Sequence, residues 1–277
     1  MTSPPPFSWT SGTIHADVVF GVGLLALAYA LAWTRRPGRA AREPALFLGG
    51  LVVVLVALNG PLHDLSDFYL FSAHMVQHLL LMLVVPPLLL RGTPAWMIDA
   101  PLAVLGRWRP SRAAARTVTR PLPALGLYAV ALVGWHLPGP YNMALERHAW
   151  HVSEHLVLIA TGVLAWWPVL SPSRLLPRLH YGAQILYLFA FGMPMTVVAA
   201  MITGAEHVLY PFYTAAPRVG NLTPLADQRA GGLIMWVPAG LIPLVAFTIV
   251  FFRWAAAEAD EEPAAVESPS PGGPLLL

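Results

Sequence analysis

The sequence predicts an all-α bundle of seven membrane-spanning helices, and three observations lead there. Of the 277 residues, 57% are hydrophobic and 11% are charged, whereas a soluble domain carries about 25% charged residues. Seven apolar segments each approach the roughly 20 residues that cross a bilayer. Basic residues also gather in alternate connections between those segments. Together these features predict a multi-pass membrane protein.

Taken in order, the predicted spans are residues 16–34, 44–61, 67–90, 121–138, 149–170, 180–203 and 229–253. Stretches rich in Pro, Gly, Asn or Ser separate them and indicate turns. The longest connection, 91–120, is rich in arginine and is predicted to include a short amphipathic helix on the membrane surface. The chain then becomes acidic and rich in Pro, Ser and Ala. We therefore expect one domain, 1–255, followed by a disordered tail, 256–277.

The basic residues indicate how the spans are oriented. Of the 16 basic residues, all except Arg147, Arg218 and Arg229 fall in segments that face the cytoplasm if the N-terminus is outside. Cytoplasmic segments carry an excess of Arg and Lys. The predicted topology is therefore N-out/C-in, with a cytoplasmic tail. The same topology accounts for the isoelectric point near 9.2, so no nucleic-acid partner is expected.

The ten histidines give the strongest functional signal, because in this topology all except His180 fall at the outer side. His74 and His78 are four residues apart within a span and share one helix face. His151 and His155 do the same on the fifth span, with Glu154 beside them. Ionisable side chains within a span normally face the bundle interior and pair there. These imidazoles therefore predict a metal site that faces outward.

Carboxylates and other polar groups are predicted to support this site. Asp67 falls on the same arc as His74 and His78 if the third span begins at 67, and Glu154 lies beside His151. Asp227 and Gln228 begin the last span, and Gln228 and Met235 are seven residues apart on nearly one face. Three further histidines, His15, His63 and His180, are predicted to be interfacial side chains that reach water.

The identity of the metal follows in part from composition. The chain has no cysteine, which excludes cysteine-ligated zinc and iron–sulfur clusters. Imidazole together with methionine thioether suits Cu(I), while imidazole alone suits Cu(II) and zinc. Axial imidazoles from two helices would also suit a haem. Copper is the cofactor we favour, and zinc and haem stay open.

Five motifs in order resemble the CtaG family of cytochrome c oxidase assembly factors. They are HMVQHLLLMLVVPPLLLRGTP, WHLPGPYNMAL, HVSEHLVLIATGVLAWWPV, LYPFYTAAP and LADQRAGGLIMW, and the resemblance covers about residues 10–255. It implies a seven-helix protein of the bacterial plasma membrane that matures haem–copper oxidase by handling copper. Its motif residues in this chain are His74, Gln77, His78, Trp135, His136, His151, Glu154, His155, Asp227, Gln228 and Met235.

The resulting hypothesis is an assembly factor and not an enzyme. Copper from an extracytoplasmic donor would be captured by His136, His151 and His155, passed to His74 and His78, and delivered to the catalytic subunit of the oxidase. One alternative is a zinc-dependent membrane hydrolase with Glu154 as general base. A second is a haem-binding membrane electron carrier.

Overall fold

The computed structural model describes residues 7–10, 12–35 and 42–266, with side chains described as far as Ala259. Eleven helices are named here in chain order, with no strand among the described residues. They are α1 Ala16–Thr34, α2 Arg42–Leu58, α3 Gly60–Phe68, α4 Phe71–Gly92, α5 Ala95–Leu105, α6 Arg109–Val118, α7 Pro121–His136, α8 Pro138–Glu146, α9 His148–Leu170, α10 Tyr181–Gly204 and α11 Pro224–Val266.

The prediction of an all-helical membrane protein is confirmed. Five of the described helices, α1, α4, α9, α10 and α11, are long and apolar enough to cross a membrane. Two bent pairs raise the number to as many as seven: α2 with α3, at 45°, and α6 with α7, at 73°. Every predicted span overlaps one of these helices, while several of their ends differ.

Three predicted boundaries need correction. The third span begins at Phe71 and not at 67, because Tyr69 and Leu70 leave the helical conformation and separate α3 from α4. The connection 91–120 forms two short helices, α5 and α6, instead of one. Helix α11 continues to Val266, past the predicted start of the tail at 256. Residues 267–277 of that predicted tail lie outside the described residues.

Helix α4 occupies the centre of the bundle. In its apolar window 67% of the residues are buried inside the protein, against 11% for α1. Its first half packs on α11, and its second half packs on α2 and α9. The large apolar core, which includes Phe71, Met75 and Met82, surrounds this helix. Side chains on the inner faces of α4 and α9 are therefore held against each other away from lipid and water.

The prolines of α4 help to fix its contact with α9. Pro86 lacks the N–H that would bond the carbonyl of Met82, and a π-helical turn, Leu80–Val84, precedes it. The freed Met82 oxygen instead accepts a hydrogen bond from Nε1 of Trp166, at 3.2 Å. Gly162, one turn earlier on α9, approaches the same carbonyl so closely that a Cβ there would lie 3.1 Å from it. This close contact fixes the alignment of α9 along α4.

Candidate metal centre

The start of α4, which presents both of its histidines, is held by Asp227 from α11. Oδ2 of Asp227 accepts the N–H of Phe71 at 2.7 Å, and Oδ1 accepts the N–H of Ser72 at 3.2 Å and its hydroxyl at 2.5 Å. The first N–H groups of a helix have no partner within the helix, and a carboxylate there satisfies them and complements the helix dipole. Asp227 therefore acts as a cap supplied by another helix.

Gln228 and Met235 also have structural surroundings. Oε1 of Gln228 accepts the N–H of Leu209 at 2.7 Å, and its amide group faces the carbonyl of His207 at 3.3 Å, which holds the 205–223 connection. Met235 is buried in the large apolar core.

Four side chains from α4 and α9 bring their ligand atoms together. His74, His151, Glu154 and His155 each offer one atom, and these four atoms lie within 4.8 Å of one another. All four residues are buried. His78 borders the group, with Nε2 3.5 Å from Oε1 of Glu154, while Nε2 of His74 lies 3.8 Å from Oε2. We call these five residues the inner cluster.

The inner cluster contains polar atoms that the protein itself does not satisfy. Neither carboxylate oxygen of Glu154 accepts a hydrogen bond, and Nε2 of His151 and Nε2 of His155 have no hydrogen-bond partner, although all are buried. Native structures rarely leave such groups unpaired, because each lost partner costs about 1–3 kcal/mol. Four ligand atoms 4.8 Å apart have a common centre about 2.9 Å from each of them. A metal ion at this centre would need metal–ligand distances of about 2.0–2.2 Å, so each ligand atom would have to move inward by less than about 1 Å. The donor set therefore fits a metal ion.

Hydrogen bonds determine which nitrogen of His78 faces the inner cluster. Nδ1 of His136 lies 2.7 Å from the carbonyl of Leu132, which can only accept, so this nitrogen carries the proton. Nε2 of His136 then has a lone pair and accepts from Nδ1 of His78 at 3.3 Å. As a result Nε2 of the neutral His78 presents its lone pair toward His74 and Glu154. His136, a predicted ligand, thus lies behind His78 in the structure.

A similar chain orients His74. The hydroxyl of Tyr213 donates to the carbonyl of Ser66 at 2.7 Å, so its oxygen is free to accept from Nδ1 of His74 at 3.4 Å. Burial raises the pKa of the Tyr213 phenol well above its usual range, which keeps that proton in place. The Nε2 atoms of His74 and His78 then face each other at 2.8 Å with two lone pairs. Such a pair requires a shared cation, either a proton or a metal ion.

A second group of side chains, on α3 and α9, lies beside the inner cluster. Oδ2 of Asp67 is 3.4 Å from Nδ1 of His151 and 3.3 Å from Nε2 of His63. The prediction that His63 is an interfacial side chain is wrong, since it is only 4% exposed. Asp67 lies on α3 and not on the helix of His74 and His78, contrary to the predicted shared arc. The spacing of His63 and Asp67, four residues apart, was the signal in the sequence that could have indicated this pair.

Gln77 decides the role of this second group. Its amide nitrogen donates to the carbonyl of Ala57 at 2.7 Å and to Nδ1 of His63 at 2.9 Å. His63 must therefore carry its own proton on Nε2, where it faces Asp67. A ring nitrogen that carries a proton cannot bind a metal. His63 thus supports the carboxylate, and Asp67 in turn orients His151, in the carboxylate–histidine arrangement typical of metal ligands.

A cavity of about 190 Å³ opens to solvent at this end of the bundle. Asp17 and His148 stand at its mouth, with His148 Nε2 3.8 Å from Asp17 Oδ2. Its deeper wall includes His63, His151 and His155. A small ion can therefore approach the inner cluster through a cavity whose wall carries several imidazoles and carboxylates among apolar side chains.

The fold and the site together define a polytopic membrane protein that carries a buried imidazole–carboxylate cluster at one end of its bundle. The family model described as "Cytochrome c oxidase caa3 assembly factor" matches residues 18–257. The chain therefore belongs to this family of assembly factors. The resemblance inferred from the five motifs is confirmed.

Curated relatives match a shorter stretch. The uncharacterized proteins Mb0105 of Mycobacterium bovis and MT0111 of Mycobacterium tuberculosis are each 26% identical to the chain over 199 residues. The uncharacterized protein ML1998 of Mycobacterium leprae is 22% identical over the same length. Each match covers 67% of this chain but only 30% of the relative. No solved structure matches the chain significantly.

Proposed function

We propose that this assembly factor binds copper as cargo at the inner cluster and supports its insertion into the oxidase. The observation that carries the proposal is Glu154, a buried carboxylate that accepts no hydrogen bond and faces several imidazole nitrogens. A carboxylate in such surroundings is costly without a cation. Membership of a family of cytochrome c oxidase assembly factors makes copper, which haem–copper oxidases contain, the fitting cation.

The proposed topology has seven spans, with the N-terminus outside and the C-terminus inside. In it, α2 and α3 form one span with a bend, and α7 crosses alone, since its 16 residues extend about 24 Å. Helix α6 stays on the inner surface, because Arg109, Arg112 and Arg116 on it are exposed. The inner cluster then lies near the extracytoplasmic side of the bacterial plasma membrane. A copper donor on that side would load it through the cavity.

Copper would leave for the catalytic subunit of the oxidase, whose own copper lies within the membrane. Imidazole and carboxylate ligands without a thiolate make an exchangeable site, which suits transfer better than storage. His136, His63 and Asp67 hold the ligands in orientation instead of binding the ion. The loading order we first expected, with His136 as an entry ligand, is therefore revised to entry at His151 and His155 and transfer to His74 and His78.

The two alternative functions can be weighed against the packing. A haem needs an open slot as wide as its macrocycle between axial imidazoles from the two helices, whereas the rings of His74, His151 and His155 crowd one another with centroids 4.3–6.2 Å apart. The donor set also suits zinc, for which Glu154 would act as general base. In the proposed function Glu154 is instead a ligand, and the metal in the purified protein distinguishes the two.

The test is metal analysis of protein purified from cells that assemble the oxidase, together with oxidase activity of the same cells. The double variant His74→Ala/His78→Ala is expected to lose copper and to lower oxidase activity. The matched control, His180→Ala/His207→Ala, removes two imidazoles outside the inner cluster and should leave both unchanged. Copper content and oxidase activity that survive the first variant would refute the proposal, and stoichiometric zinc in the wild type would favour the hydrolase.

A further inference from the structure

The opposite end of the bundle carries three arginines from three parts of the chain. Arg91 ends α4, Arg178 precedes α10, and Arg253 lies on α11. All three line one groove of about 390 Å³ between these elements. Arg91 is about 25 Å along α4 from His74 by helical rise. This groove is therefore separate from the inner cluster and plays no part in the function proposed above.

Three positive charges therefore stand close together in this groove. Among the described residues, none of these guanidinium groups forms an ion pair or a hydrogen bond. Arg91 instead experiences the like charges of Arg253, Arg178 and Arg42. Arg178 is held at the rim by Tyr181, whose ring centroid lies 5.7 Å from the guanidinium carbon. A nearby carboxylate, Glu43, lines an adjacent cavity with Arg91 and Arg178 but forms no ion pair with either among the described residues, so an anion from outside the chain would neutralise the group.

Below the arginines the groove is apolar and faces the lipid region. Its walls include Leu83, Leu88, Ile242, Val245 and Ile249. Val245 and Ile249 are 58% and 48% exposed, so this surface is open to the membrane. A ligand that fits both parts has an anionic head and a hydrocarbon tail.

We propose that this groove binds an anionic phospholipid, with its phosphate between Arg91, Arg178 and Arg253 and an acyl chain along the apolar wall. Guanidinium groups bind phosphate oxygens in pairs of parallel hydrogen bonds, and basic pockets between transmembrane helices are common sites for acidic lipids. Net charge selects the lipid: phosphatidylglycerol complements the three arginines, whereas the ammonium of phosphatidylethanolamine is repelled by them. Free phosphate lacks the tail that the apolar wall requires.

The test uses the full chain purified in neutral detergent, with lipid binding measured by native mass spectrometry and by the shift in thermal unfolding temperature. Phosphatidylglycerol should remain bound and raise the unfolding temperature, and neither phosphatidylethanolamine nor inorganic phosphate should match it. Equal stabilisation by either of these would overturn the proposal. This comparison needs only the wild type, so it holds even where a variant folds poorly.

Variants then locate the site. Arg91→Gln/Arg178→Gln/Arg253→Gln should weaken phosphatidylglycerol binding by about 10²-fold, since each of the three arginines near a charged headgroup contributes a factor of about five. The control Arg107→Gln/Arg109→Gln/Arg120→Gln removes the same charge from exposed positions around α6 and should bind as the wild type does. Undiminished binding by the first variant, or an equal loss in the control, would refute the assignment of the lipid to this groove.

Discussion

Replacing Glu154 by Gln removes the negative charge of the carboxylate in the inner cluster while keeping the size of the side chain. The four ligand atoms lie within 4.8 Å of one another, so a Cu(I) ion between them is at most about 2.9 Å from the carboxylate. At an effective dielectric constant of about 20, this attraction amounts to about 6 kcal/mol. Removing water from both charges offsets part of it, and losing one partner of a buried charge pair typically costs about 3–5 kcal/mol. The net loss of about 3 kcal/mol corresponds to affinity about 10²-fold weaker.

The assay is competition for Cu(I) between the purified protein and a chromophoric chelator. Glu146→Gln is the control, because it removes an equal charge from an exposed position on α8. We expect the dissociation constant to rise about 10²-fold in Glu154→Gln and to stay near the wild-type value in the control. An affinity for Glu154→Gln within a few-fold of the wild type would refute the assignment of this carboxylate as a ligand. So would a loss of the same size in Glu146→Gln.

Two further predictions concern the scaffold. In Gly92→Ala the new Cβ would lie 2.6 Å from Cα of Phe47, so α2 and α4 must separate. The protein should then lose about 1–3 kcal/mol of stability, which thermal unfolding measures. The control Gly126→Ala has no atom within 4 Å of its new Cβ and should not be destabilised. For Asp99, partial burial alone would raise the pKa, but hydrogen bonds from Ser173 and the N–H of Arg174 lower it below its usual value. Its stabilising contribution is therefore complete above the unfolded pKa and is lost as the pH falls through the folded pKa. The unfolding temperature of Asp99→Asn should accordingly be lower than that of the wild type at pH 7, and the two should converge in acid; a constant difference would contradict this.

The helices and the members of the inner cluster could be predicted from the sequence because both depend on local patterns. Apolar runs of about 20 residues identify spans, and the i, i+4 spacing of His74 with His78 and of His151 with His155 places each pair on one helix face. An ionisable side chain within a span is then expected to face the interior of the bundle. These signals need no knowledge of which helices are neighbours.

The roles of Asp67, His63 and Asp227 could not be predicted, because each depends on contacts between distant segments. Because the helix breaks at Tyr69 and Leu70, Asp67 lies on α3 and not on the helix of His74. No Pro or Gly at these two positions indicates the break in the sequence. His63 is buried because α3 packs on α4 and brings its ring against those of His151 and His155. Asp227 caps a helix whose first residue lies 156 positions earlier in the chain.

Contacts with neighbouring segments also orient the imidazoles of the inner cluster. For His78 and His74, the ring nitrogen that faces away from the inner cluster begins a hydrogen-bonded chain that ends on a main-chain carbonyl: His78 through His136 on Leu132, and His74 through Tyr213 on Ser66. His151 is tied in the same way, through Asp67, His63 and Gln77, to Ala57. Carbonyls of packed helices cannot change their acceptor role, so they fix the tautomers of all three imidazoles. The lone pairs of these rings thereby face the inner cluster, and main-chain carbonyls of neighbouring helices hold them in that orientation.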